Sequence, residues 1–521
     1  MCQLIKLAIA TAFASLLGAA SGQAASPDPA RVTIGSGAVR GVAAADVISF
    51  KGIPYAAPPV GKLRWRAPQP AKPWHDVLNA EKFGPSCMQT DEIPKSEDCL
   101  TINIWRPAAA TAKLPVMVWI YGGALVHGNS AMYPGEALAR QGVIVVSLNY
   151  RMGRFGFFAF PASATEAPDE PIGNYGYMDQ IAALKWVHEN IAAFGGDPNN
   201  VTIFGESAGA GSVMVLLTSP LSQGLFTKAI MESPGIPTGR SKVLPVTALA
   251  DAEKMAVDYA HSAGINGSGA MALAALRALP AQRIVEGTSA QQELAALAAD
   301  KYLVGVAGPI LDGKLIVEPP EAAVAAGHQA KVPIIIGAND RDLALGMANS
   351  KEALFAMFGP HADEARKVYD PNGDVPLSEL QQQVFADRIF LEPTRHFANE
   401  TVWAGQPTWW YRFSYVAGSA RQKMKGAMHG MEIPYILDSP GALVGNKAVT
   451  TDDKAMAAAA SGYWAAFAMT GDPNGAGRPE WPRHDPSVDR VIDFTNKGVV
   501  VGPDPVKQRI DLWQEVWDQQ H

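Results

Sequence analysis

Cysteine is nearly absent from this chain, with three in 521 residues. Cys2 stands at the very start, and the remaining two, Cys87 and Cys99, have no histidine cluster beside them, so nothing supports a zinc site. Charge is sparse as well. Charged residues make up 18% and the net charge is −7. No basic stripe runs along the chain, which argues against nucleic acid as a partner. No apolar run approaches the ~20 residues that a membrane-spanning helix needs. Internal repeats and long low-complexity linkers are missing too. What is present is a hydrophobic content of 48%, ample for the core of a globular protein.

The first residues have the pattern of an export signal. Lys6 supplies a positive charge, Leu7 to Leu17 an apolar segment too short to span a bilayer, and Gly22-Gln23-Ala24 a small-x-small cleavage site. Residues 1–24 therefore read as a signal peptide and 25–521 as a single domain of a periplasmic or secreted protein. Cys2 leaves with the signal. Cys87 and Cys99 are then an even pair in an oxidising compartment, where a disulfide persists. Closing so short a loop restricts the unfolded chain by about 3 kcal/mol.

Val116 to Ile120 and Val143 to Leu148 are continuous apolar runs, the pattern of strands covered on both faces of a parallel sheet. Ala229-Ile230, Pro333 to Ile336 and Trp409 to Val416 read as further strands. Between them, Tyr177 to Phe194 places Ile181, Leu184, Val187 and Ile191 at helical spacing and stops at Gly195-Gly196-Asp197-Pro198. Strands alternating with helices predict a doubly wound α/β fold. Residues 245–300 and 345–405 read mostly as helical excursions that wall the space above the sheet.

One motif carries most of the chemistry. Val201-Thr202-Ile203-Phe204 reads as a buried strand, Gly205-Glu206-Ser207-Ala208-Gly209 as a sharp turn, and Ala210 to Leu217 as a helix. A Gly-x-Ser-x-Gly turn in that context is a nucleophile elbow. It lifts the serine hydroxyl clear of the sheet and aims the helix N-terminus at developing negative charge. A serine needs a base, and the base needs a group that holds its tautomer. In the chain order serine, acid, histidine, His429 stands out because Gly426, Ala427 and Gly430 flank it in a flexible loop. His484, in Pro-Arg-His-Asp-Pro, is the alternative and reads as a surface turn. The acid belongs on the loop after Pro333–Ile336, where Asp340 and Asp342 are equally placed by spacing alone. Oxyanion donors are expected from the amide after the nucleophile and from Tyr121-Gly122-Gly123-Ala124-Leu125, small residues following a buried strand.

These pieces resemble the type-B carboxylesterase/lipase family, the cholinesterase-like branch of the α/β-hydrolases. The likeness extends over nearly all of the mature chain: Phe50-Lys51-Gly52-Ile53-Pro54-Tyr55-Ala56, Ser96-Glu97-Asp98-Cys99-Leu100, Asn174-Tyr175-Gly176, Phe194-Gly195-Gly196-Asp197-Pro198 and the elbow itself. The resemblance implies an α/β-hydrolase fold, a large mostly parallel twisted sheet flanked by helices, with helical excursions over the active site. It implies Ser207 as nucleophile, His429 as base and, by register from Gly337, Asp342 as the acid. Gly123, Ala124 and Ala208 match the oxyanion-hole amides, and Cys87 and Cys99 match a family disulfide. Arg64 with Glu97, and Arg151 with Asp179, match buried ion pairs. The chain departs from the family in three ways. Its acid is aspartate where glutamate is usual, and Tyr121 replaces the commoner histidine before the glycines. The Cys87–Cys99 loop is also short and has no tryptophan to face a choline cation.

The expected activity is hydrolysis of small-to-medium neutral carboxylic esters through an acyl-enzyme. No metal or organic cofactor is implied, and the expected partner is a small-molecule ester. The competing readings are a catalytically silent binding or adhesion protein on the same fold, and an amidase on the same triad. Leu125, His127, Leu303 and Phe390 are candidates for the pocket walls, with core or loop roles the stronger reading for each.

Overall fold

The structure, a computed structural model, describes residues 28–109, 113–235, 245–289, 292, 308–343, 346 and 348–519. The 1–24 segment and Leu303 lie outside the described residues. The architecture is built on an eleven-stranded sheet. Its strands are β1 (Val42–Ala43), β2 (Val47–Pro54), β3 (Thr101–Pro107), β4 (Leu114–Ile120), β5 (Ile144–Leu148), β6 (Gly196–Glu206), β7 (Lys228–Glu232), β8 (Ile334–Asn339), β9 (Thr408–Phe413), β10 (Val491–Thr495) and β11 (Gly498–Gly502). In space they follow the order β11-β10-β9-β8-β7-β6-β4-β5-β3-β2-β1.

Every neighbouring pair from β5 through β4, β6, β7, β8 and β9 to β10 is parallel. Antiparallel strands close both ends: β3, β2 and β1 on one side and β11 on the other. Periodicity had announced the parallel centre only. Its strands are apolar on both faces because helices cover both; Val116, Val118, Ile120, Val146, Ile203 and Ile335 are all fully buried. Each such side chain contributes about 1.5–3 kcal/mol through burial.

The helices that matter for the site are α1 (Tyr175–Asn190), α2 (Ala208–Thr218), α3 (Leu377–Ala386), α4 (Glu392–Trp403), α5 (Thr451–Thr470) and α6 (Lys507–Asp518). The excursions read from sequence are helical where described, with further helices at Leu249–Ser262 and Ala270–Arg277. A satellite core of Leu354, Phe355, Phe358, Leu380, Trp513 and Trp517 seats α6 against them.

The chain leaves β4 for β5 on one side and later enters β6 on the other. The carboxyl ends of β4 and β6 therefore diverge at a topological switch point, where open α/β sheets form their ligand crevice. Gly205 pairs with Ile120 across that junction. The residues that follow these two strands are thus brought side by side.

Candidate active site

Ser207 is the single residue between β6 and α2, at φ 58° and ψ −125°. An L-residue held in such a region stores of order 1–3 kcal/mol, so the surroundings must fix it. The Ser207 N–H donates to the Glu232 carbonyl at 2.9 Å, and the Ser207 carbonyl accepts from Gly211 N–H, also at 2.9 Å. A side chain at Gly209 would collide with the Ile120 carbonyl oxygen. Glycine there is what lets α2 approach β4 closely enough for the turn to form.

The His429 ring lies between the serine and an acid. Its Nε2 is 2.7 Å from Ser207 Oγ, and its Nδ1 is hydrogen-bonded to Asp342 Oδ1. The two loops are also tied through backbone, His429 N–H donating to the Asp342 carbonyl at 2.5 Å. Asn339 reinforces the joint: its N–H donates to Asp342 Oδ2 at 3.1 Å, and its side-chain amide to the Met428 carbonyl at 2.8 Å and to Glu432. Aspartate is long enough here because the chain itself draws Asp342 to the histidine.

Asp340 has a different set of partners. Its Oδ1 accepts from Ala427 N–H at 2.7 Å, and its Oδ2 lies 3.2 Å from the Arg412 guanidinium, which also bonds Asp493. The two carboxylates left equal by spacing are thereby separated. Asp342 faces the imidazole, while Asp340 braces the base of its loop.

A further carboxyl group stands at the imidazole. Glu206 Oε1 is 3.2 Å from His429 Nε2. Burial pushes Glu206 up to about 7, with His429 opposing and Asp342 adding to the shift. For His429 burial disfavours the charged ring, but Glu206 and Asp342 prevail and push it up to about 10. Glu432 and Glu232 are raised well above the carboxylate range, first by burial and then by the neighbouring acids. Such a pocket favours the imidazolium that forms when the serine gives up its proton.

The loop after β4 runs against the nucleophile. A Cβ on Gly122 would come within 2.9 Å of Ser207 Cβ. Gly123, Ala124 and Leu125 have φ of 97°, 52° and 60°. Among the described residues neither Gly123 N–H nor Ala124 N–H has a backbone acceptor. Ala208 opens α2, where the amides have no partner inside the helix. Three free donors thus converge beside Ser207, the arrangement that stabilises a tetrahedral oxyanion.

Comparison with known proteins agrees with this geometry. The carboxylesterase family model matches residues 28–369 and 363–513. The chain belongs to the carboxylesterase family. It is 36% identical to the fumonisin B1 esterase of Sphingopyxis macrogoltabida, over 86% of this chain and 84% of that protein. It is 34% identical to the para-nitrobenzyl esterase of Bacillus subtilis (strain 168), over 92% and 97%. A solved PNB esterase superposes with a TM-score of 0.78 at 33% identity, covering 93% of this chain and all (100%) of that one. The protein is accordingly a carboxylesterase with an α/β-hydrolase fold.

The other predicted residues of the enzyme fall as follows. Cys87 and Cys99 are disulfide-bonded. Arg151 forms a two-pronged, fully buried pair with Asp179 at 2.8 and 2.7 Å, and Arg64 one with Glu97 at 2.8 and 2.5 Å. His484 is corrected: it is not a surface turn but a half-buried side chain whose Nε2 lies 2.7 Å from Asn399 Oδ1, its pKa pushed down to about 4 by burial and by Arg395. His127 faces Asp91 at 3.7 Å, and Leu125 is buried. Phe390 packs on the His429 ring at 4.9 Å between centroids, presented by the π-helical turn Asp387–Leu391.

Among the described residues one group has ligating atoms close enough for a cation, His361, Glu364 and Glu515, and none of the three belongs to the triad. No described helix is long and apolar enough to cross a membrane. Sequence reasoning missed Glu206, Asn339 and Glu432 as parts of the site. Glu206 sits inside the elbow motif at a position read only as a spacer, and only the fold shows that it meets a histidine beyond residue 400.

Proposed function

We propose that the protein is a serine esterase that works through an acyl-enzyme on small-to-medium neutral esters. The single observation that carries this is the His429 ring bonded at once to Ser207 Oγ and Asp342. Ser207 Oγ attacks the acyl carbon while His429 Nε2 takes its proton, and Asp342 with Glu206 stabilises the imidazolium. The amides of Gly123, Ala124 and Ala208 receive the oxyanion. His429 then protonates the leaving alcohol, and water repeats the sequence to release the acid. The relatives that act on neutral aromatic esters by name support the substrate class. The signal-like residues 1–24 and the disulfide support export to the periplasm or the medium. Ser207→Ala removes only the attacking atom, so folding is expected to be normal while turnover falls by about 10⁶-fold. A variant keeping a tenth of the activity would show that Ser207 is not the nucleophile.

A further inference from the structure

The loop that carries the oxyanion donors is bent through consecutive left-handed residues, Gly123, Ala124 and Leu125. Its own bonds only close it on itself: Val126 N–H and His127 N–H both donate to the Gly123 carbonyl, at 3.0 and 3.1 Å. Two anchors attach it to the rest of the molecule. One is the Gly153 N–H, which donates to the Leu125 carbonyl at 2.7 Å. The other comes from the disulfide loop. Gln89, completely buried, accepts from Gly128 N–H through Oε1 at 2.9 Å and donates through Nε2 to the Gly128 carbonyl at 2.9 Å. The same Nε2 donates to the Cys87 carbonyl at 3.1 Å. One side chain thus satisfies both backbone groups of the residue that ends the oxyanion loop and ties them to the residue that starts the disulfide loop.

We propose that Gln89 is a positioning residue for the oxyanion hole, and that the disulfide loop holds the Gly123 and Ala124 amides through it. The inference rests on the esterase reading above. A buried glutamine with all its bonding directed at one short loop gains little from packing that an apolar side chain of equal size would not supply. What only the amide supplies is the paired donor and acceptor that fix where Gly128, and hence the strained turn before it, stands. A donor misplaced by ~1 Å costs of order 10²-fold in rate, so the amide's effect should appear in transition-state stabilisation and not in substrate affinity.

The test compares wild type with Gln89→Met, which keeps the volume and loses both bonds, and Gln89→Glu, which keeps the acceptor and loses the donor. Each is assayed on a p-nitrophenyl ester and against an alkyl trifluoromethyl ketone, which adds to a serine hydroxyl to give a bound oxyanion. The expected result is a kcat lower by about 10- to 100-fold with KM within about threefold. The inhibition constant of the ketone should rise in proportion and the pH midpoint of kcat should stay in place. Gln89→Glu should fall between, and it preserves the test if Gln89→Met does not fold. A variant with a lowered melting temperature but unchanged kcat and ketone affinity would overturn the proposal, leaving Gln89 a structural residue. Failure of the esterase reading shows itself separately, as a wild-type protein whose activity survives Ser207→Ala or resists the ketone.

Discussion

Replacing Asp342 by asparagine should abolish turnover while leaving the fold in place, and the structure says why. Asp342 accepts two bonds, from His429 Nδ1 at Oδ1 and from Asn339 N–H at Oδ2. An asparagine has one oxygen, and the backbone N–H of Asn339 can only donate, so that oxygen stays with it. The new amide NH₂ then faces Nδ1, which must accept. The proton moves to Nε2, and the ring loses the lone pair that takes the Ser207 proton. Comparable substitutions lower kcat by about 10⁴-fold, or about 5.4 kcal/mol of barrier at 1.36 kcal/mol per decade. Asp340→Asn is the internal control. It keeps an acceptor for Ala427 N–H and loses a charged partner of Arg412, which retains Asp493. That should cost about 1–3 kcal/mol of stability and less than about tenfold in kcat, because the tautomer of His429 is untouched. Steady-state kinetics with a p-nitrophenyl ester, beside urea unfolding of both variants, separates the two effects. An active Asp342→Asn and an inactive, well-folded Asp340→Asn would refute the assignment.

Glu206→Gln removes the leading carboxylate cause that raises His429. The histidine must be neutral to act as base, so the acidic limb of kcat/KM should move to lower pH, by about one unit or more for an opposite charge this close. The kcat should fall as well, and a pH–rate profile with an unmoved limb would sink the idea. Replacing both Cys87 and Cys99 by serine opens a cross-link with a sequence separation of 12. It should lower unfolding free energy by about 3 kcal/mol, read as a shift of the urea midpoint; an unchanged midpoint would rule that contribution out. With no tryptophan between Cys87 and Cys99, matched neutral esters should be hydrolysed with at least about tenfold higher kcat/KM than choline esters, since a desolvated cation–π contact is worth about 2 kcal/mol. A tenfold choline preference in competition assays would mean that another aromatic supplies the cation site.

The features legible in the sequence are local ones. A buried strand, a Gly-x-Ser-x-Gly turn and a helix announce themselves in sequence because each depends on neighbours within a few residues. The elbow at Ser207, the parallel strands at the centre and the glycine-flanked His429 all belong to this class. The antiparallel edges were silent because β1 to β3 are partnered across long stretches of chain, and pairing direction leaves no mark on a strand's own residues. Spacing could not divide Asp340 from Asp342. Two residues on one loop differ only in which way the backbone turns them, and that is settled by where the His429 loop and Arg412 arrive. A family register had to make the choice in sequence, whereas bond partners make it in space. Glu206 beside His429, and Gln89 beneath Gly128, are further still from sequence reasoning. A buried carboxyl or amide acquires its role from the group it meets, and here those groups come from other loops, brought together only by the folded sheet.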